Sequence, residues 1–132
     1  MGLYAIKNGR GRNETRPVAT GQTFAKGDLL DWDGNGALVG VADDAETGAY
    51  VALEAVTNAA AGTKIVVVAT KGNGTQFKVN TEADTAEDQI GDVVEFSDKS
   101  TLANGTAASA DGFQIQELVG TPSDRVVRGI FL

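Results

Sequence analysis

The chain has 132 residues, of which 17 are glycine, a net charge of −7, and neither cysteine nor histidine. These two absences exclude disulfides and thiolate metal sites and remove the commonest general base, so we predict no cofactor, no metal and no enzymatic activity. Glycine together with abundant Val, Ile and Thr favours short strands joined by tight turns. We therefore predict an all-β fold, a small barrel or sandwich with at most one short helix.

Charge is unevenly distributed along the chain. Residues 1–16 contain four basic side chains and one acidic side chain, a net +3, which leaves −10 for residues 17–132. Nucleic-acid binding requires an extended basic surface, so the acidic body argues against such a partner. No apolar run has the length of a membrane span, and the amino terminus lacks the apolar region of a signal peptide. We expect a soluble intracellular protein without a membrane partner.

Residues 1–16 are predicted to form an extended N-terminal arm that precedes a single domain over residues 17–132. The stretch N-G-R-G-R-N-E-T-R is rich in turn formers and does not form a regular element by itself. Two interpretations remain open: a frayed terminus, or an arm that becomes ordered on a partner. In the second, three apolar anchors and four basic clamps make the contact: Leu3, Tyr4, Ile6, Lys7, Arg10, Arg12 and Arg16.

The stretch from Gly27 to Val41 has two competing interpretations. As a β-hairpin, it places Leu30 and Trp32 on one strand face, predicts a core position for Trp32, and turns at Gly34-Asn35-Gly36. As a calcium loop, it would use the oxygens of three residues: Asp31, Asp33 and Asn35. The twelfth loop position, which should supply a bidentate glutamate, is Ala42, so the hairpin is preferred.

Further strands are predicted on both sides of an acidic segment. Lys64–Ala69 contains four consecutive β-branched residues and is predicted to be buried on both faces. Thr81–Asp88 fits either a helix of about two turns or an acidic loop. The remaining predicted strands cover residues 50–56, 75–79, 91–96, 113–118 and 125–132.

A weak internal repeat is visible in the sequence. The segment Gly27–Trp32 matches Gly91–Phe96 in glycine, aspartate, two aliphatic residues, an acid and an aromatic, in that order. At the same offset, Leu38 and Gly48 match Leu102 and Gly112. After the offset changes by one residue, Tyr50, Glu54 and Val56 match Phe113, Glu117 and Val119. The repeat predicts two similar β units, although turn chemistry alone can make strands after a Gly-Asp turn look alike.

The residues of the hairpin also carry a family resemblance. The run L-D-W-D-G-N-G-A-L-V-G-V at Leu30–Val41 resembles the strand, Trp-Asp-Gly turn and return strand of the lambda-type head decoration proteins of tailed bacteriophages. The segments Gly48–Val56 and Ala61–Val68 are similar to the Ala-Leu-Glu and β-branched strand signature of phage capsid cement proteins. About half of the chain is covered, and Thr81–Thr121 has no counterpart.

The resemblance implies a structural, non-catalytic protein with a β-tadpole-like fold. Such a protein is made in the host cytoplasm and sits on the outer surface of the virion, typically as a homotrimer that clamps neighbouring major capsid protein subunits and stabilises the capsid. The arm residues named above would then contact the capsid or a neighbouring copy, and no small-molecule substrate is expected. The alternative is a carbohydrate or host-surface binding module in which three aromatic residues form a stacking platform: Trp32, Tyr4 and Tyr50.

Overall fold

Eleven strands form the described part of the chain, which in this computed structural model comprises residues 3–7, 13–71, 75–109 and 111–132. Residues 4–7 are described by their backbone only. Two short 3-10 helices, Glu87–Gln89 and Pro122–Asp124, accompany the strands. The strands are β1 (Tyr4–Lys7), β2 (Asn13–Pro17), β3 (Leu29–Trp32), β4 (Leu38–Gly40), β5 (Tyr50–Ala52), β6 (Lys64–Ala69), β7 (Gln76–Thr81), β8 (Val93–Asp98), β9 (Thr101–Ala107), β10 (Phe113–Val119) and β11 (Val126–Phe131).

Strands β7 to β11 close into a five-stranded barrel, the C-terminal barrel. Its order is β7-β11-β10-β8-β9, and a parallel pairing of β9 with β7 at Thr81 and Leu102 returns the sheet to its first strand. Strand β1 adds to β7 in antiparallel pairing beside this closure. Closure leaves the five strands without a long free edge. The predicted all-β barrel is confirmed.

Strands β2 to β6 form the second sheet, the N-terminal unit. Its order is β2-β6-β5-β3-β4, and its two edges meet at an isolated parallel bridge between Val18 and Leu38. The Ala19 N–H also donates to the Leu38 carbonyl at 3.0 Å. The unit therefore has the same strand order, and the same parallel contact between its first and third strands, as the C-terminal barrel.

The two units also agree in register, which confirms the structural repeat predicted from the sequence. Leu30 faces Tyr50 across β3 and β5 as Val94 faces Phe113 across β8 and β10. Both units contain the same two backbone hydrogen bonds at the Gly-Asp turn. In the N-terminal unit, the Gly27 N–H donates to the Ala52 carbonyl at 2.7 Å and the Ala52 N–H donates to the Asp28 carbonyl at 2.9 Å. In the C-terminal barrel, the Gly91 N–H donates to the Ile115 carbonyl at 2.7 Å and the Ile115 N–H donates to the Asp92 carbonyl at 3.0 Å.

Two apolar clusters fill the molecule. The smaller cluster lies inside the N-terminal unit and includes Leu30, Leu38 and Val67. The larger cluster fills the C-terminal barrel and extends to three residues of the N-terminal unit that point away from its own interior: Leu29, Val51 and Val68. Because β-strand side chains alternate between faces, β3, β5 and β6 bury one row in each cluster. The shared cluster joins the two units.

The described residues of the predicted arm pair with these two sheets. Backbone pairing joins β1 to β7 and β2 to β6, and the Leu3 N–H donates to the Gly27 carbonyl at 2.6 Å. Leu3 is 1% exposed and lies in the larger cluster. Its side chain is therefore packed within the fold, at a position where the sequence predicts a contact with a partner.

The structure decides between the two interpretations of Thr81–Asp88 and adds one strand. The acidic loop forms rather than the two-turn helix, because Thr81 ends β7 and only the 3-10 turn at Glu87–Gln89 follows. Strand β9, with the sequence T-L-A-N-G-T-A, lies where the sequence predicts no strand. Asn104 in β9 is buried, and its amide exchanges hydrogen bonds with Ala83 while donating to the Asp84 carbonyl and the Gln89 side chain. These bonds hold the acidic segment as a loop.

Candidate functional site

The N-terminal unit has an end that is lined by polar and aromatic side chains, here called the open end. Glu14 and Arg16 face Val67 and Ile65 of the buried cluster across β2 and β6, which places both side chains on the inward face. Trp32 and Tyr50 share the inward faces of β3 and β5 by the same alternation. The open end thus comprises five inward positions at one rim: Glu14, Arg16, Trp32, Tyr50 and Ala69.

The side chains of the open end form one connected cluster. Trp32 and Tyr50 meet edge to face, with ring centroids 5.5 Å apart and planes at 87°. The Arg16 guanidinium lies 5.7 Å from the Tyr50 ring centroid, donates through Nε to the Tyr50 hydroxyl at 3.3 Å and pairs with Glu14. The hydrogen bond to Tyr50 raises the pKa of Arg16 above its ordinary value. The cluster is a preformed, amphipathic surface with a fixed cation.

The prediction that Trp32 lies in the core is wrong. Its side chain is 42% exposed, although Leu30 on the same strand face is fully buried. Strand β3 runs from the interior to the rim of its unit, so two residues on one face have different surroundings. Period-two alternation identifies the face of a residue but does not show how far along the barrel axis it lies.

A cleft of about 350 Å³ lies next to the open end and shares Tyr50 and Ala69 with it. Asp31 and Lys71 contribute opposite charges to its lining, which also includes Thr47 and Thr70. The Thr70 hydroxyl donates to the Gly48 carbonyl at 2.6 Å, whereas Thr47 Oγ1 is buried and has no hydrogen-bond partner among the described residues. The cleft thus offers polar groups beside an aromatic surface.

The predicted hairpin at Gly27–Val41 is confirmed, and its turn shows how the candidate calcium ligands are used. Gly34 and Gly36 adopt positive φ values of 87° and 89°. Asp33 Oδ1 accepts from the Asn35 and Ala37 amides at 2.7 and 3.1 Å, and Asp31 Oδ1 accepts from the Trp32 amide at 2.8 Å. The aspartates act as local turn acceptors.

The other predicted contact residues are spread over the molecule. Tyr4, Ile6 and Lys7 belong to β1, which pairs with β7, and Arg16 lies in the open end. Arg10 and Arg12 fall outside the described residues. Tyr4, which was expected to share a stacking platform with Trp32 and Tyr50, lies in the other sheet.

Three carboxylates outside the open end have shifted pKa values. Burial raises the pKa of Asp28, against a hydrogen bond from the Ala25 amide at 2.9 Å. Hydrogen bonds from Ser109 lower the pKa of Glu46. Burial acts to raise the pKa of Asp98, but hydrogen bonds from Ser100 and Thr101 outweigh it and leave the value lowered. Each of these groups stabilises a turn or a contact between loops.

A second cleft, of about 420 Å³, lies on the C-terminal barrel. Asp88 and Asp92 contribute charge to its lining, and the amide group of Asn104 is engaged in the hydrogen bonds described above. Among the described residues, no group of three or more acidic side chains is close enough to hold a metal ion. No helix in the same part of the chain is long and apolar enough to cross a membrane.

No protein-family model and no curated protein sequence matches the chain.

Proposed function

We propose that the protein is a non-catalytic decoration protein that binds the outer surface of a bacteriophage head and clamps neighbouring major capsid subunits. The observation that carries the proposal is the hairpin Leu30–Val41, whose sequence resembles the decoration family and whose turn, strand ends and exposed Trp32 form the rim of the N-terminal unit. A closed barrel joined to a second β unit through a shared core is a rigid object suited to bridging two surfaces.

Charge supports contact between the basic amino-terminal residues and an acidic capsid surface. Lys7, Arg10 and Arg12 lie in or between β1 and β2, in a chain whose other residues are strongly acidic. Arg16 is paired with Glu14 and Tyr50 within the molecule, so it contributes less to a contact of this kind. A basic segment in an otherwise acidic chain orients the protein as it approaches its partner.

The test is addition to heads that are assembled from the cognate major capsid protein without decoration protein. We expect Arg10→Glu combined with Arg12→Glu to reduce occupancy at least roughly tenfold, and wild-type binding to weaken as salt is raised. The matched control is Lys64→Glu combined with Lys71→Glu, which makes the same charge change at two exposed positions. Equal binding by both double variants would refute the proposed contact, and wild-type protein that never adds to heads would refute the function.

A carbohydrate-binding function is a second candidate, favoured by the exposure of Trp32. Sugar rings stack on exposed aromatic faces while their hydroxyl groups bond to nearby polar groups. Trp32 and Tyr50 provide such rings, and the adjacent cleft provides the charged groups of Asp31 and Lys71.

A glycan array separates the two functions. The carbohydrate function predicts binding that is lost in Trp32→Ala and in Asp31→Asn, with unchanged circular dichroism. Binding to bare heads without any glycan signal would leave the decoration function alone.

A further inference from the structure

The contact between the two units of the chain is an interface with two distinguishable sides. One side is the aromatic end of the C-terminal barrel, formed by five buried inward residues: Phe77, Val79, Phe96, Phe113 and Phe131. The other side is the N-terminal wall, an outward row in which Leu29 faces Val51 and Val51 faces Val68. Both sides belong to one apolar cluster.

Backbone hydrogen bonds fix how the two sides meet. The Leu29 N–H donates to the Lys99 carbonyl at 2.7 Å, which attaches the β8–β9 turn to the wall. The Phe96 N–H donates to the Ala45 carbonyl at 2.8 Å beside it. The aromatic end is therefore covered by the outer face of the preceding unit.

Because the two units share strand order and register, each side of this interface has a counterpart elsewhere in the molecule. The open end is the counterpart of the aromatic end. The pair Tyr50 and Ala69 in the N-terminal unit corresponds to Phe113 and Phe131 in the C-terminal barrel. The pair Trp32 and Leu38 corresponds in the same way to Phe96 and Leu102. The C-terminal wall is the counterpart of the N-terminal wall. It is the outward row in which Val93 faces Gln114 and Gln114 faces Ile130.

The described residues leave both counterparts at least partly exposed. Trp32 is 42% exposed, whereas Phe96 at the matching position is fully buried. On the C-terminal wall, the three residues of the row are half-buried, and Leu132, on the same outward face as Ile130, is 41% exposed. Exposed apolar surface that is bordered by polar groups is typical of sites of protein association.

We propose that the open end of one copy docks on the C-terminal wall of a second copy, in the arrangement that the aromatic end and the N-terminal wall adopt within the chain. The hydrogen bond from Leu29 to Lys99 then has an intermolecular counterpart, in which the Val93 N–H donates to the Asn35 carbonyl of the neighbouring copy.

Both proposed docking surfaces are more polar than the corresponding surfaces of the internal interface. The open end has Trp32, Tyr50 and Arg16 at positions where the aromatic end has phenylalanines and Val79. The C-terminal wall has Gln114 at the position where the N-terminal wall has Val51. A glutamine amide can accept from a guanidinium and exchange a hydrogen bond with a phenol. The external interface is thus more polar than the internal one, as is typical of contacts between separately folded partners.

The two docking surfaces are different, so the contact is heterologous and runs head to tail. Such contacts produce closed rings when the rotation per copy closes, and filaments when it does not. The inference goes beyond capsid binding and does not depend on it, since the two surfaces belong to the isolated protein.

The test is sedimentation velocity of the full-length chain from low micromolar to millimolar concentration. We expect wild-type protein to associate, and Trp32→Glu and Ile130→Glu each to raise the dissociation constant at least roughly tenfold. Ile90→Glu is the matched control, because Ile90 is 49% exposed and lies on neither surface. Leu132→Glu provides a second wall variant if Ile130→Glu does not fold by circular dichroism.

Mixing the variants tests the head-to-tail geometry. Trp32→Glu retains an intact C-terminal wall and Ile130→Glu retains an intact open end, so an equimolar mixture should recover a dimer and nothing larger. An end-to-end contact between two identical surfaces gives no such recovery, and that result would overturn the proposal. So would a wild-type monomer at millimolar concentration, a wall variant that associates normally, or an open end that captures glycan while the protein stays monomeric.

Discussion

Gly129 shows how one residue distinguishes the two units. It occupies the β11 position that corresponds to Val67 in β6, and it lies beside Phe77 of β7 and Ile115 of β10 on the two neighbouring strands. A methyl group there would lie 2.0 Å from the Gln114 carbonyl oxygen and 2.6 Å from the Phe113 ring. Glycine is therefore required for the rings of the aromatic end to pack closely.

Gly129→Ala should accordingly destabilise the protein by about 1–3 kcal/mol, since the backbone of β10 has to move to accommodate the methyl group. Gly105→Ala is the control, because the added methyl group meets no atom within 4 Å. Its effect should stay within about 0.5 kcal/mol in urea unfolding. Equal midpoints for the two variants would contradict the packing described for Gly129.

Burial of the Asp28 carboxylate makes the stability of the protein depend on pH. Because burial raises its pKa in the folded state, the native protein binds a proton more tightly than the unfolded chain does. Stability from this group is therefore gained as pH falls through the folded pKa and is lost as pH rises through it. Asp28→Asn keeps an oxygen for the Ala25 amide but cannot titrate.

Urea unfolding of wild type and Asp28→Asn should therefore give curves that diverge with pH. We expect the free energy of unfolding of the wild type, relative to the variant, to increase as pH is lowered from 7 into the window just above the ordinary pKa of aspartate. A difference that stays constant, or that changes in the opposite direction, would show that Asp28 is not desolvated in the native state.

Strand β1 is the element whose role differs most from the sequence prediction. The composition of residues 1–16 gives no sign of a strand, because pairing with β7 and burial of Leu3 both depend on residues far away in the sequence. Strand β9 also depends on a residue partner far away in the sequence, because pairing with β7 at the barrel closure holds it in place. Its glycine and alanines have low β propensity, so its own sequence does not predict a strand. In contrast, β6 and the Gly27–Val41 hairpin follow from local signals.

Leu3→Ala tests the integration of β1 into the fold. Removal of a fully buried leucine side chain costs about 2–5 kcal/mol, so the variant should unfold at clearly lower denaturant concentration. Leu132→Ala, at a leucine that is 41% exposed, is the matched control and should change stability by about 0.5 kcal/mol or less. A Leu3→Ala protein as stable as this control would restore the free arm that the sequence predicted.

At the scale of the whole molecule, the sequence repeat is the prediction that explains most. The pairs of matched residues in Gly27–Trp32 and Gly91–Phe96 lie at corresponding places in two units of the same topology. The sequence could not show that one unit covers the end of the other, because that depends on the relative position of the units. It also could not show that Trp32 is exposed. Its counterpart Phe96 is buried by a contact between the two units, and no described residue covers Trp32 in the same way.

The fluorescence of Trp32, the only tryptophan in the sequence, tests most directly whether the open end is a docking surface that the described residues leave exposed. We expect its emission to shift to shorter wavelength, and its quenching by acrylamide to decrease, as protein concentration rises. Ile90→Glu should behave the same way and Ile130→Glu should not. Emission and quenching of Trp32 that remain constant from low micromolar to millimolar concentration would contradict this expectation.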